Sequence, residues 1–325
     1  MTTDPARLSR KIRDTLAPCS LGDWPTPLEI LPAADGREPL WVKREDRSSR
    51  RYGGSKVRGL EFLLAGAPPE AVFVTVGGSG STHCLATAVH GGALGYRVVL
   101  AQFPQPATET ALAVAAACTG GSALVYRAHS WAGFPLALAR AWVSAGGLGS
   151  RRWIPGGGAH PRAVVGHFLA GLELAAQTPA PPDAIVAPLG STGTVAGLCL
   201  AMSYLEWPTR VIAVRVASRL FANRARALRL ANAARRLLLT LDASLSLPQV
   251  PIVVDGLGRG YGYPTPAGEE ARREARARGL VLDSTYGGKA FATLPPPLPP
   301  PAAHRRGFPR VVFWHTFPPL PIPHP

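Results

Sequence analysis

Arg51-Tyr-Gly-Gly-Ser-Lys56-Val-Arg-Gly-Leu-Glu-Phe-Leu-Leu64 is the stretch around which the rest of the chain can be ordered. Basic charge elsewhere is carried almost entirely by arginine, and the lysines are Lys11, Lys43, Lys56 and Lys289. A chain that prefers arginine keeps lysine where a primary amine is wanted, because a guanidinium cannot condense with a carbonyl. Gly53-Gly54 ahead of Lys56 lets backbone or a ligand approach closely. Val57, Leu60, Phe62, Leu63 and Leu64 recur at helical spacing, which predicts a helix opening at Lys56. The dipole at a helix N-terminus disfavours an ammonium group, so the amine is expected to shift towards its neutral, nucleophilic form. In isolation the stretch also fits a solvated lysine ahead of a surface helix; the surrounding chain tips the balance.

Downstream the pattern alternates. Short apolar strands are predicted at 71–76, 97–101, 123–126, 153–154, 184–187, 211–216 and 311–314, with a further strand at 40–43. Helices are predicted at about 82–94, 107–118, 131–145, 161–177 and from Val195, after a short polar helix and loop in residues 1–23. Repeated strand–helix units with apolar strands give an α/β fold of open, twisted, mostly parallel sheets covered by helices. Pro295–Pro301 and residues 317–325 are too rich in proline for helix and are predicted to be polyproline II, linker or terminus.

With 325 residues, 46% hydrophobic and 17% charged, the chain is globular and long enough for a substantial core. Its net charge of +15 raises nucleic acid as a partner, but the arginines are scattered and no aromatic-interleaved basic stripe accompanies them. The excess reads as mostly compositional, and it would favour anionic substrates and non-specific polyanion binding. Cys19, Cys84, Cys118 and Cys199 are far apart and lack a CxxC or a histidine pair, which argues against a metal site and for free thiols in a reducing compartment. With no apolar segment of bilayer length and no leader-like start, a cytoplasmic location is expected.

Two loops stand where α/β folds place ligands, after the C-terminal ends of strands. Gly77-Gly-Ser-Gly-Ser81-Thr82-His83-Cys84 can wrap a carboxylate with backbone N–H groups. Gly190-Ser191-Thr192-Gly193-Thr194 has the composition of a phosphate cradle at a helix start. Neither is a Walker A loop or GxGxxG, so a small monophosphate fits better than a nucleotide. A cofactor that needs one amine and one phosphate cradle is pyridoxal phosphate.

Lys43-Arg-Glu-Asp46 followed by Gly53–Glu61 resembles the start of the D-cysteine desulfhydrase and 1-aminocyclopropane-1-carboxylate deaminase family, fold type II pyridoxal-phosphate enzymes similar to the tryptophan synthase β-subunit. The resemblance continues through Gly77–Ala86, Gly156–Pro161, Gly190–Gly197, Gly258–Gly262, Leu282–Ala290 and Phe313–Thr316. It implies that Lys56 bonds the cofactor and acts as base, that Ser81 meets the substrate carboxylate, and that Gly190, Ser191, Thr192, Gly193 and Thr194 hold the phosphate. Tyr286 would lie by the cofactor ring, Tyr261 by the substrate, Thr82 where the family has an asparagine on the 3′-oxygen, and Thr316 at the pyridine nitrogen. It further implies a large domain of residues 1–52 and 163–325, an inserted small domain of 53–162, and a homodimer.

Several positions depart from the family: Ser55 and Thr82 replace asparagines, Gly287 replaces glutamate or threonine, and Phe317-Pro318 replaces a glycine pair. Thr316 stands where deaminases carry leucine, which favours β-elimination on a small, D-cysteine-like amino acid over opening of the cyclopropane ring of 1-aminocyclopropane-1-carboxylate. The alternative of another class is a degenerate, non-catalytic member whose basic surface binds a polyanion. Outside these motifs, His83 and His315 are expected to pack or orient, His160 to do no chemistry, and Lys289 to be solvated or to cap a helix. The arginines of 224–236 are expected to form a solvated face.

Overall fold

The computed structural model describes residues 4–33, 39–147, 149–295 and 311–317. The chain begins with α1 (Pro5–Leu16), followed by β1 (Leu28–Leu31), β2 (Leu40–Arg44) and α2 (Lys56–Leu63). There follow β3 (Val72–Gly78), α3 (Thr82–Ala93), β4 (Arg97–Phe103), α4 (Glu109–Gly120), β5 (Leu124–Arg127), α5 (Phe134–Ser144) and β6 (Arg151–Ile154). After α6 (Pro161–Gln177) come β7 (Ala184–Leu189), α7 (Gly193–Tyr204), β8 (Arg210–Arg215), α8 (Arg224–Leu238) and β9 (Ile252–Asp255). α9 (Pro266–Ala277), α10 (Gly287–Phe291) and β10 (Val311–His315) close the described chain.

Among the described residues the strands form two sheets, one of six strands ordered β1-β2-β10-β7-β8-β9 and one of four ordered β5-β4-β3-β6. Every pairing is parallel except β1 with β2. The central strands are apolar throughout because helices cover both faces, and Ala184–Leu189 is buried at every residue. On one face of the larger sheet, Phe168, Leu198, Ala231 and Trp314 belong to one core; on the other, Phe291, Phe313, Ala271 and Leu280 belong to a second.

Strand order reverses direction at two places, between β3 and β6 and between β10 and β7. In open parallel sheets the crevice outside the carboxyl ends of strands at such a switch point is where ligands bind. The loops after β3, β6, β7 and β10 therefore carry the chemistry.

Several predicted boundaries shift. The strand predicted to end at Ala101 runs on to Phe103, since buried Gln102 finds Arg127 as a partner at 3.0 Å. The helix predicted at 107–118 starts at Glu109, because Thr108 caps it by accepting from the Ala111 N–H. The helix predicted at 131–145 starts at Phe134, after a turn in which the Gly133 N–H donates to Ser130. Pro295 is the only part of the Pro295–Pro301 run that falls within the described residues, and Pro318–Pro325 lies outside them. No helix among the described residues is long and apolar enough to cross a membrane.

Candidate active site

Lys56 is the first residue of α2, and the placement of this helix is fixed from both sides. It packs against α6 so closely that a Cβ on Gly166 would lie 2.0 Å from the Arg58 carbonyl oxygen. Buried Arg58 adds donations to Glu173 of the same α6 at 2.8 and 3.0 Å and, from the other side, to both oxygens of Glu45 at 2.8 Å. Lys43 completes the cluster, donating to Glu173, Gln177 and the Thr26 carbonyl at 2.5, 2.6 and 2.8 Å. Burial opposes charge on Glu45, but the Arg58 guanidinium outweighs it and holds the carboxyl below its usual value. A buried charge network of this kind holds geometry when every member is paired, and these are.

The Lys56 amine is thereby delivered into a cavity of about 1290 Å³ at the two switch points. Its Nζ donates to the Gly157 carbonyl at 3.2 Å and lies 3.4 Å from Ser191 Oγ. Burial lowers its pKa from 10.5 to about 8. At pH 7 about a tenth of the amine is then uncharged and able to act as a nucleophile or base, against well under a thousandth for an ordinary lysine.

The turn between β7 and α7 lies beside this amine. Thr192 is held at φ 78, a left-handed conformation that is strained for a β-branched residue. Its hydroxyl is buried and has no protein partner. Gly190 packs closely as well, since a Cβ there would come within 3.3 Å of the Tyr286 ring. Ser191 donates to the Gly157 carbonyl at 2.9 Å, which ties this turn to the one after β6. A strained backbone, an orphaned buried hydroxyl and the free N–H groups of a twelve-residue helix together describe a site built for an anion.

The remaining sequence-selected groups all border the same cavity: Ser81, Thr82, Thr194, Tyr261, Tyr286 and Thr316. Ser81 caps α3 by accepting from the Cys84 N–H at 3.3 Å, and Thr82 is the first residue of that helix. The hydroxyls of Tyr261 and Tyr286 share a hydrogen bond of 2.6 Å. Burial raises both pKa values, Tyr261 to about 12, so both phenols are neutral at ordinary pH. Asp283 forms the turn beneath them by accepting from the N–H groups of Thr285, Tyr286 and Gly287 at 2.9, 2.7 and 2.7 Å. Thr316 follows β10, and its carbonyl accepts from the Ser55 N–H at 3.3 Å, placing it beside the start of α2.

The histidines behave as packing groups. His83 shares a hydrogen bond with Thr75 at 2.9 Å, and burial with the nearby Lys56 charge lowers its pKa to about 3. His315 is lowered to about 4, chiefly by burial. His160 caps α6. Lys289 corrects an expectation: it is neither solvated nor a cap but buried, donating to the carbonyls of Leu257 and Gly260 at 2.9 and 3.3 Å. It thus pins the glycine loop that carries Tyr261. Arg226 is a second correction, since it borders the cavity while its neighbours on α8 stay outside it. Sequence reasoning also missed the Arg58 cluster, the Gly157 carbonyl on Lys56 and the aromatic side chains Phe103, Trp131 and Phe134. The only signal for the cluster was the pair Lys43 and Arg58 flanking the Glu45 turn.

A lysine with a depressed pKa, an anion cradle beside it and a cavity at the two switch points define an enzyme built on a phosphorylated carbonyl cofactor. The chain belongs to the pyridoxal-phosphate-dependent enzymes, whose family profile matches residues 19–316. It is an enzyme of that family, its cofactor is pyridoxal 5′-phosphate, and its fold is type II. It is 35% identical over 275 residues to nocardicin C-9′ epimerase of Nocardia uniformis subsp. tsuyamanensis, covering 80% of this chain and 83% of that protein. Its structure is similar to that of an ACC deaminase homologue, with a TM-score of 0.75, 27% identity and 94% of each chain covered. The processed form of threonine deaminase isoform 2 from Solanum lycopersicum shares the fold at a TM-score of 0.60 and 16% identity, over 98% of this chain and 86% of that one.

Proposed function

We propose that the protein is a lyase that removes a β-substituent from a small, D-cysteine-like amino acid and yields a keto acid, ammonia and sulfide. The observation that carries this is the composition of the cavity wall. No aspartate or glutamate borders it among the described residues, and Thr316, whose side chain is a neutral hydroxyl, borders it beside the start of α2. Pyridoxal phosphate, when bound, draws electrons from the Cα of the attached amino acid, and a neutral partner at its pyridine nitrogen makes it a weaker sink than a carboxylate partner would. Elimination suits such a site, because departure of the β-group limits the charge that must be held.

In this assignment the Gly190–Thr194 turn holds the phosphate, Lys56 bonds the cofactor, and Ser81 with the α3 N-terminus receives the substrate carboxylate. The Lys56 amine takes the Cα proton, the Cβ–S bond breaks with its electron pair leaving on sulfur, and the sulfide is protonated. The released enamine takes up water and loses ammonia. Tyr261 and Tyr286, both neutral, donate a proton to the departing sulfur or to carbon. The chain would act as a homodimer, with residues 53–162 as a small domain inserted between 1–52 and 163–325.

A second activity, epimerisation at Cα, is favoured by the 35% identity to an epimerase. Both activities begin with the same proton removal and part at its return. The holoenzyme is therefore incubated with D- and L-cysteine in deuterated water, and sulfide, keto acid and the configuration of the remaining amino acid are followed. Sulfide with stoichiometric keto acid, abolished in Lys56→Ala, supports elimination. Inverted, deuterated amino acid without sulfide replaces it by epimerisation. Deamination of 1-aminocyclopropane-1-carboxylate with no action on cysteine would assign ring opening instead. No reaction with any of these, together with polyanion binding, would point to a non-catalytic member.

A further inference from the structure

The cavity is larger than its cofactor and a small amino acid require. Sites for drug-sized ligands run to about 300–1,000 Å³, and this one measures about 1290 Å³. The extra space is not shapeless. Tyr286 at the phosphate end sits 6.0 Å, ring to ring, from Tyr261, which is 6.2 Å from Phe103, which stacks on Trp131 at 4.9 Å with planes 21° apart. Phe134 closes the edge of this stack at 5.6 Å from Phe103. These rings form an unbroken apolar ribbon from the phosphate cradle to the cavity mouth, where Trp131 is 64% exposed.

The segment before α8 and the first turn of that helix line the same cavity. Phe221 is 57% exposed, and the Arg226 guanidinium lies 5.6 Å from its ring centroid. Arg226 has no carboxylate partner among the described residues, whereas neighbouring Arg219 is paired with Asp255 at 2.7 Å. The charged side chains bordering the whole cavity among the described residues are Lys56, Arg219 and Arg226, all basic. Exposed aromatic rings lining one cavity are costly to leave in water and are well matched to a flat apolar ligand. An unpaired guanidinium over a ring at the mouth matches a carboxylate at that ligand's far end.

We propose that, beyond bare cysteine, the site takes a cysteine-like amino acid whose sulfur carries an aromatic body ending in an anionic group. The amino acid end sits at Lys56, the ring lies against the Phe103–Trp131 stack, and the anion meets Arg226. This deepens the elimination activity proposed above and rests on it. The bonds balance in the same way: Cα–H and Cβ–S break, the electron pair leaves as an aryl-bearing thiolate that is then protonated, and water converts the remaining enamine to keto acid and ammonia.

The test compares cysteine, S-benzylcysteine and S-(4-carboxybenzyl)cysteine, each in both configurations, with the holoenzyme. Keto acid formation gives kcat/KM, and perturbation of the cofactor's absorption gives a dissociation constant that does not depend on turnover. The expected order rises from cysteine through the benzyl to the carboxybenzyl compound, by about tenfold at each step. Trp131→Ala should lower kcat/KM for both aryl compounds about tenfold more than for cysteine. Arg226→Met should cut the carboxybenzyl compound selectively, returning it to the level of the benzyl one. Equal kcat/KM and equal dissociation constants for all three compounds would overturn the proposal while leaving elimination intact. Tighter binding of the carboxybenzyl compound without any keto acid would uphold the assigned substrate class and overturn elimination instead. Trp131 is on the surface and Arg226 is not part of the core, so the two variants report independently if one fails to fold.

Discussion

The pKa of Lys56 can be read directly from the rate at which apoprotein captures its cofactor. Only the uncharged amine attacks a carbonyl, so the capture rate follows the neutral fraction. Burial places the pKa at about 8 instead of 10.5. Between pH 6.5 and 8 the neutral fraction then rises about sixteenfold, and from pH 8 to 9.5 only about twofold more. An ordinary lysine would gain about thirtyfold over that second interval. Apoprotein is mixed with pyridoxal phosphate across this range, and the growth of the bound cofactor's visible absorption is timed, with Lys56→Ala as the blank. A plateau above about pH 8.5 is expected. A rate still climbing nearly tenfold per pH unit at pH 9 would refute the account, because it would mean that Lys56 remains hydrated. The same shift has a stability consequence. Between pH 8 and 10.5 the unfolded chain binds the proton that the folded chain does not, so apoprotein stability should rise with pH across that window and fall on acidification to pH 8. Below about pH 8 the penalty is complete, at roughly 3 kcal/mol.

Thr192→Val keeps the shape of the cradle and removes its orphaned hydroxyl. A hydrogen bond to a charged group is worth about 1.5–3 kcal/mol, so cofactor affinity in an absorbance titration should fall by at least tenfold; an unchanged affinity would exclude this hydroxyl from the cradle. Arg58→Met leaves the Glu45 and Glu173 carboxylates without their guanidinium, and Glu45 is fully buried. The loss should be about 3–5 kcal/mol in urea unfolding, and a loss below about 1 kcal/mol would show that the cluster is wet. His83 stays neutral in the folded chain down to about pH 3 but is protonated below 6.5 once unfolded. The folded chain thus binds fewer protons in that window, and stability should decline as pH falls from 6.5 towards 3. His83→Gln should flatten that decline when urea midpoints are compared.

The order of elements and the location of the site were legible in the sequence for a local reason. A strand buried on both faces is a short apolar run, as at Ala184–Leu189, and a ligand turn is a run of glycine and hydroxyl residues between such a strand and a helix. Each signal is complete within about ten residues. Boundaries failed where one polar residue interrupted the run, as at Gln102, whose partner Arg127 is on the next strand. The aromatic annex was illegible for the opposite reason. Phe103, Trp131 and Phe221 come from three separate segments, and each taken alone looks like ordinary core or a lone surface ring. Only the crossing of the two sheets brings them to one cleft.

The sparing use of lysine carries more information than its link to the cofactor alone suggested. Arg58 and Lys43 share Glu173, and the division of labour between them follows from shape. The forked guanidinium of Arg58 spans two carboxylates, while the compact ammonium of Lys43 gathers a carboxylate, an amide oxygen and a backbone carbonyl. Lys289 has the same task on a smaller scale, gathering two carbonyls of the loop that holds Tyr261. Burial lowers the pKa of both, opposed by Glu173 in one case and Asp283 in the other. A carboxylate whose charge opposes the shift therefore separates these two lysines from Lys56. Lys56 has none, its named partners being a carbonyl and a hydroxyl. In a chain so committed to arginine, three of the four lysines sit where a guanidinium has the wrong shape or the wrong chemistry, and the one without a counter-charge faces the cavity.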